Sequence, residues 1–151
     1  MVVMSYFVIG SKRYRFVRKD LGHDPKDGKK IWGLCDSPIV KKKAIYVCIH
    51  ATGFHELDVI LHEIKHAENW EGYNENYVDT FSYELANYVW EADYKKRERP
   101  TMGLTGFTRL EAVISRARFK LEGHMYEPEY IKRASHEMAL ILWKLCYRNK
   151  K

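Results

Sequence analysis

Cysteine is scarce in this chain of 151 residues, where Cys35, Cys48 and Cys146 stand far apart and form no CxxC pair. This spacing indicates neither a disulfide framework nor a cysteine zinc knuckle. We therefore expect buried thiols in a reducing cytoplasm.

Long hydrophobic runs are also lacking, since no apolar stretch approaches the length that crosses a membrane. The opening MVVMSYFVIG has no basic residue ahead of its apolar part and no small-residue cleavage signal after it. We therefore expect a soluble, unexported protein that resides in the cytoplasm and has no membrane partner.

Low-complexity tracts are absent, and 46% of the residues are hydrophobic and 14% aromatic, which is typical of a packed globule. The length suits one domain with a possible helical appendage. The net charge is +6, but the basic residues are scattered in KKK, KKRER and a lysine-rich tail. This scatter favours solvated faces, so the charge supports a nucleic-acid partner only weakly.

Turn residues divide the first third of the chain into short strands. From Ser5 to Val17, aromatic and β-branched residues with a Gly-Ser-Lys break predict a hairpin. The following LGHDPKDGKK is a loop by its turn chemistry, and IWGLCDSP and KAIYVCI predict two more strands. The amino-terminal third should therefore form a small antiparallel or mixed sheet.

Helical periodicity replaces the strand pattern after Gly53. The first helix contains the HEIKH stretch and is stopped by Gly72. Asn74 can cap the next helix, which is long and runs to about Lys96.

The carboxy-terminal third is predicted to be helical after a hinge at Pro100 and Gly103 to Gly106. Two helical stretches follow, around 108–121 and 129–147, and each carries an apolar stripe. We expect these stripes to pack on the preceding helices or on a partner chain, because an exposed stripe of that length would be an association surface.

The predicted fold class is therefore α+β. A small amino-terminal sheet is followed by the HExxH helix, a second metal-bearing helix and carboxy-terminal helices. Residues 1–98 are assigned to the core, and residues 99–151 to a helical extension packed on it.

The HEIKH stretch carries the chemistry. Residues four apart lie on one face of a helix, so His62 and His66 can both direct ring nitrogens at one metal ion. They supply two of the three protein ligands that a catalytic zinc needs. Glu63 lies about 100° round the helix, which suits it to hold the zinc water rather than to ligate.

The surroundings of the histidines also favour a site. Leu57, Ile60, Leu61, Ile64 and Ala67 are predicted to form the buried arc of the helix, and Asp58, Lys65, Glu68 and Asn69 its solvent arc. The remaining sector holds His62, Glu63 and His66 together with Val59 and Trp70. A purely solvated helix would not place Val59 and Trp70 beside its histidines, so a partly enclosed wall is expected.

The third ligand should come from the second helix, where Glu75 and Asp79 are predicted to face into or beside the apolar arc. A carboxylate there needs a partner, and a cation held by the facing helix is a natural one. Asp79 is preferred, because Glu75 near the helix start can simply complement the helix dipole. The alternative for Asp79 is a salt bridge to a lysine or arginine.

With HEIKH followed by DTFSYELAN, the chain resembles the small HExxH zinc metallopeptidase-like proteins encoded by phages, which are similar in turn to SprT-like and ImmA/IrrE-type minimal peptidases. In those families an acidic residue on the second helix completes the site ahead of a Leu-Ala pair. Asp79 stands at that place, six residues before Leu85. The resemblance covers roughly Tyr6 to Trp90. The family often has glutamate at the position of Asp79, which keeps Glu75 as a competitor.

Together these features predict a minimal zincin, a zinc-dependent metallopeptidase that hydrolyses peptide bonds with a metal-bound water and Glu63 as general base. The predicted zinc ligands are His62, His66 and Asp79, and the substrate is a peptide or protein. A phage-encoded enzyme of this kind would work in the host cytoplasm. Two rivals remain: a zincin-like fold that binds zinc without turnover, and a basic adaptor for phage or host protein or nucleic acid.

Overall fold

The computed structural model describes residues 2–70, 74–92 and 102–147, and over these ranges the protein is an α+β fold with a small mixed sheet and four α-helices. The chain divides into two compact units, 1–82 and 83–151. The predicted boundary at residue 98 lies outside the described residues, so the assignment of a core and an extension stays a prediction.

A hairpin opens the first unit and confirms the interpretation of the segment from Ser5 to Val17. Strand β1 (Val2–Ile9) pairs antiparallel with β2 (Lys12–Lys19). Gly10 and Ser11 join them with φ angles of 56° and 69°. Positive φ at both central residues is the backbone of a type I′ turn, whose twist matches that of the paired strands.

The two remaining predicted strands complete a four-stranded sheet. Strand β3 (Gly33–Cys35) is antiparallel to β4 (Ala44–Cys48), and β4 runs parallel to β2, so the order is β1-β2-β4-β3. The sheet is therefore mixed, as predicted, and β3 lies at one edge.

Helix α1 (Gly53–Glu68) packs on one face of this sheet. The predicted buried arc is confirmed, and its side chains meet strand residues in the core. The fully buried residues of this core include Phe16 and Ile45 of the sheet and Leu57, Ile60 and Leu61 of the helix. This packing presents the opposite sector of α1, which carries the histidines, away from the core.

The helix boundaries differ slightly from those predicted. Helix α1 ends at Glu68, four residues before Gly72, which lies outside the described residues. Helix α2 (Glu75–Ala92) begins after Asn74, whose Oδ1 accepts a hydrogen bond of 2.7 Å from the backbone N–H of Tyr77. The predicted cap is therefore confirmed. The predicted end near Lys96 lies outside the described residues.

The predicted solvent arc of α1 is wrong at Lys65 and Glu68. The Lys65 side chain is fully buried and that of Glu68 nearly so. The Lys65 ammonium lies 3.3 Å from Oε1 of Glu68 and 4.1 Å from the ring centroid of Phe81. A long aliphatic stem can be buried when its charge meets a carboxylate and an aromatic face, and helical position alone does not reveal those partners.

The second unit contains α3 (Met102–Glu122) and α4 (Pro128–Leu142), which continues into a π-helix (Trp143–Tyr147). The predicted apolar stripes are buried at Leu110, Ile114, Ala117, Ile131, Ala134, Met138 and Leu142. Within this unit the two helices pack against each other.

The predicted hinge is wrong at 103–106, because these residues are helical, and its other residue, Pro100, lies outside the described residues. Gly106 is buried, and a Cβ atom there would overlap the indole ring of Trp143. The glycine therefore permits a close approach of two helical segments instead of marking a break. Across the described residues, no helix combines the length and the apolar character needed to span a membrane.

Candidate metal centre

The candidate site joins two pairs of side chains, each spaced four residues apart on its helix. His62 and His66 project from α1, while Glu75 and Asp79 lie in the first part of α2. Because residues i and i+4 share a helix face, each pair presents its polar groups together. All four residues belong to the first unit.

The two histidines and Glu75 converge. The Nε2 atoms of His62 and His66 are 3.2 Å apart. One carboxylate oxygen of Glu75 lies 2.9 Å from Nε2 of His62, and the other lies 3.0 Å from Nε2 of His66. One ligand atom from each of the three residues falls within a 4.8 Å cluster.

This donor set fits a metal such as zinc. Two nitrogens bound at about 2.0–2.1 Å to one tetrahedral zinc lie about 3.3 Å apart, close to the observed separation of the two Nε2 atoms. Two imidazoles and one carboxylate are also the donor types that zinc takes in catalytic sites. The three side chains therefore need little rearrangement to hold an ion.

Asp79, the carboxylate that the sequence favoured, lies elsewhere in the cluster. Its Oδ1 is 3.2 Å from Nδ1 of His62, the ring nitrogen on the far side from His66 and Glu75. Asp79 therefore contacts a histidine but does not join the group around the two Nε2 atoms. The side chains of Glu75 and Asp79 are 64% and 60% exposed, so neither faces into the apolar arc, and only the alternative that they lie beside it is left.

Glu63 is the buried acid of the site, with only 7% of the residue exposed. Burial, followed by the negative charges of Glu75 and Asp79, raises its pKa to about 8. Within the described part of the chain, no hydrogen bond or ion pair is made by its carboxylate. Glu63 is thus a buried carboxyl group whose proton is held to a higher pH than that of an exposed glutamate.

Strand β3 approaches this acid closely because residue 33 is glycine. A Cβ atom at Gly33 would lie 2.7 Å from Oε2 of Glu63 and 2.8 Å from Cγ1 of Val59. Any larger residue would displace the strand or the acid. Gly33 therefore allows the sheet edge to form one wall of the site.

An open cleft of about 290 Å³ lies between this edge and the cluster. Its lining residues are Gly33, Leu34, Cys35, His62, Glu63, His66, Trp70 and Glu75. The partly enclosed wall predicted beside the histidines is therefore present, with Val59 buried and Trp70 39% exposed. The cleft gives a ligand access to both the nitrogens and the acid.

The ionisation of the neighbouring groups suits a metal centre. Burial, together with the nearby His62 ring, lowers the pKa of His66, which favours the neutral imidazole that metals bind. Burial also raises the pKa of the Cys35 thiol, and the negative charges of Glu63 and Asp36 act in the same direction. The thiol therefore stays protonated, and its Sγ lies 3.5 Å from the carbonyl oxygen of Asp36.

The sequence did not identify Gly33 and Cys35 as parts of the site. The one available signal was a glycine inside a predicted strand, which often marks a close approach of backbone to another group.

Comparison with known proteins gives no assignment: no family model, curated protein or solved structure matches this chain.

Proposed function

We propose that the protein is a zinc-dependent peptidase with a minimal zincin-like site. The observation that carries this proposal is the convergence of the two Nε2 atoms and the Glu75 carboxylate beside a buried, unpaired Glu63 in an open cleft. Each of these groups has the chemistry that metal-assisted hydrolysis requires.

The ligands in this proposal are His62, His66 and Glu75. Asp79 takes a supporting role, because a carboxylate that accepts a hydrogen bond from Nδ1 leaves Nε2 free for the metal. The 3.2 Å contact between Asp79 and His62 supports this arrangement. The proposal thus replaces the sequence preference for Asp79 with its competitor.

Bound at these residues, zinc would lower the pKa of a water to about 7 and polarise a peptide carbonyl. Glu63 then accepts the proton of the attacking water. Its position one residue after His62 keeps it within the cleft and off the ligand set. Its burial suits it to hold that proton and pass it to the leaving amine.

The edge strand supports a peptide as substrate. The N–H of Cys48 donates to the carbonyl of Trp32, and the N–H of Asp36 donates to the carbonyl of Ala44. Since paired positions alternate along a strand, the backbone groups of Gly33 and Cys35 point away from β4. An extended peptide could add to these groups as a further strand along the cleft.

One observation argues against the rival hypothesis of a zinc site that does not catalyse a reaction. Structural zinc sites are usually closed by four protein ligands, whereas three ligand residues face an open cleft in this site. A peptidase needs that open position for water and substrate.

Zinc content and cleavage test the proposal together. The purified protein should bind one zinc per chain and cleave casein or members of a broad peptide library. His62→Ala should lose most of the metal, while His136→Ala, which removes an exposed histidine outside the cluster, should keep it. Equal zinc loss in both variants would refute the site, and zinc binding without any cleavage would leave only the non-catalytic rival.

A further inference from the structure

The sheet has a second face, opposite to α1, which carries two tyrosines and three basic side chains among apolar residues. Tyr6 pairs with Arg15 and Val8 with Arg13 in the register of β1 and β2, and paired residues share a face. Tyr46 pairs with Leu34 in the same way across β4 and β3. We call this surface the outer face.

The outer face is distinct from the metal cluster. Gly33 neighbours Leu34 in β3, and a Cβ at Gly33 would point at Val59 and Glu63 of α1. Since successive residues of a strand face opposite sides, Leu34 and its partner Tyr46 must point away from α1. A ligand on the outer face would therefore not occupy the cleft.

Aromatic rings on this face are already covered by cations. The guanidinium of Arg13 lies 4.3 Å from the ring centroid of Tyr6, and the ammonium of Lys19 lies 5.0 Å from that of Tyr46. Tyr6 is 55% exposed, and both Arg13 and Lys19 are exposed. Each ring and its cation form one unit that offers a stacking surface and a positive charge.

The charged residues of the strands are all basic. None of the four strands contains an aspartate or glutamate, and the first acidic residue of the chain is Asp20. The backbone N–H of Arg15 donates to the carbonyl of Lys43, but the Lys43 ammonium lies 5.9 Å from the ring centroid of Tyr14, which faces α1, so this lysine is not on the outer face. The basic side chains of the outer face therefore come from β2.

We propose that the outer face binds single-stranded nucleic acid. Bases stack on tyrosine rings with little regard to sequence, while arginine and lysine contact the phosphates. The two tyrosines lie two strands and two residues apart, which corresponds to about 12 Å between their Cα atoms, a span that a short single strand can bridge.

The test measures binding of a labelled oligothymidylate to the full-length protein by fluorescence anisotropy. Replacing Tyr6 by leucine should weaken binding roughly tenfold, because the stacking surface is lost. Tyr6→Phe keeps the ring and should bind like wild type. Circular dichroism confirms that each variant is folded. If Tyr6→Leu binds as tightly as Tyr6→Phe, the proposal is wrong.

A matched pair of charge variants separates the face from general basicity. Arg13→Gln with Lys19→Gln removes two charges from the outer face, and Lys26→Gln with Lys29→Gln removes two from an exposed loop of the same unit. Only the first pair should weaken binding by tenfold or more, and affinity should fall as salt is raised. An equal loss in both pairs would overturn the proposal.

Three further ligands define the partner. An oligouridylate should bind comparably, whereas a duplex and vesicles of anionic lipid should bind more weakly than the single strands. Tighter binding to duplex or vesicles would refute the proposal and assign the face to that ligand. Because His62→Ala and Glu63→Gln leave this face unchanged, both should bind oligothymidylate like wild type, whatever the fate of the peptidase proposal.

Discussion

Two buried glutamates, Glu63 in the first unit and Glu122 in the second, differ in whether a cation pairs with the carboxylate. Glu122 is fully buried and accepts hydrogen bonds from Nη2 and Nε of Arg118 at 2.8 and 3.2 Å. Glu63 is almost as deeply buried, yet no cation of the described chain pairs with it. Burying a charge is costly unless it is paired, so Arg118 offsets the burial of Glu122, whereas the burial of Glu63 without a cation raises the pKa of its carboxyl group.

The largest expected effect concerns the unpaired acid. Replacing Glu63 by glutamine keeps the shape of the side chain but removes the base, so peptide cleavage should fall by about 10² to 10⁴-fold. Zinc content should not change, because Glu63 is not a ligand. The measurement is kcat/KM on a peptide that wild type cleaves. An unchanged rate in a variant that still binds zinc would remove Glu63 from the mechanism.

Loss of the cation that pairs with Glu122 should lower the stability of the protein. Replacing Arg118 by methionine leaves Glu122 buried without its cation, which should lower the free energy of unfolding by about 3 to 5 kcal/mol. Urea denaturation measures this change. Arg118→Met combined with Glu122→Leu should recover most of the loss. If the single variant is as stable as wild type, the buried pair is not required for the fold.

In the metal-free protein, the free energy of unfolding should depend on pH because Glu63 is buried. Its folded-state pKa, about 8, lies above the ordinary value of 4.5, so the folded state holds the proton more tightly. The stability associated with this group is therefore complete below pH 4.5 and is lost as the pH rises to about 8. At pH 9, Glu63→Gln should be more stable than wild type by a few kcal/mol.

This pH prediction is checked by urea denaturation in the presence of a chelator. At pH 4.5 the two proteins should have nearly equal stability, because both then carry a neutral group at position 63. A constant difference between them across the whole range would show that burial does not perturb this acid.

The last prediction compares the two exposed carboxylates, and the replacement of Asp79 has the smallest expected effect. Glu75→Gln should abolish tight zinc binding, since it removes a proposed ligand, whereas Asp79→Asn should weaken binding by about 10 to 100-fold, as the loss of a group that orients a ligand does. Competition with a zinc chelator gives both affinities. The reverse order would restore the sequence-based choice of Asp79 as the ligand.

Local patterns were enough for much of the first unit. The Gly-Ser break between two β-rich segments predicts the hairpin, since only a turn of positive φ closes it tightly. The spacing of His62 and His66 places both rings on one face of α1. These features depend on backbone periodicity within a few residues, so no distant contact was needed to predict them.

The remaining features depend on how separate helices and strands pack against each other. Glu75 and Asp79 share a helix face, and only the position of α2 against α1 selects which carboxylate meets the two Nε2 atoms. The burial of Lys65 depends on Phe81, a residue far away in sequence. Gly33 lies in a predicted strand and Gly106 in a predicted hinge, yet each permits a close contact with another element. Sequence alone therefore determined which side chains could act together, and the tertiary structure decided which do, because packing sets distances that periodicity along one helix or strand does not contain.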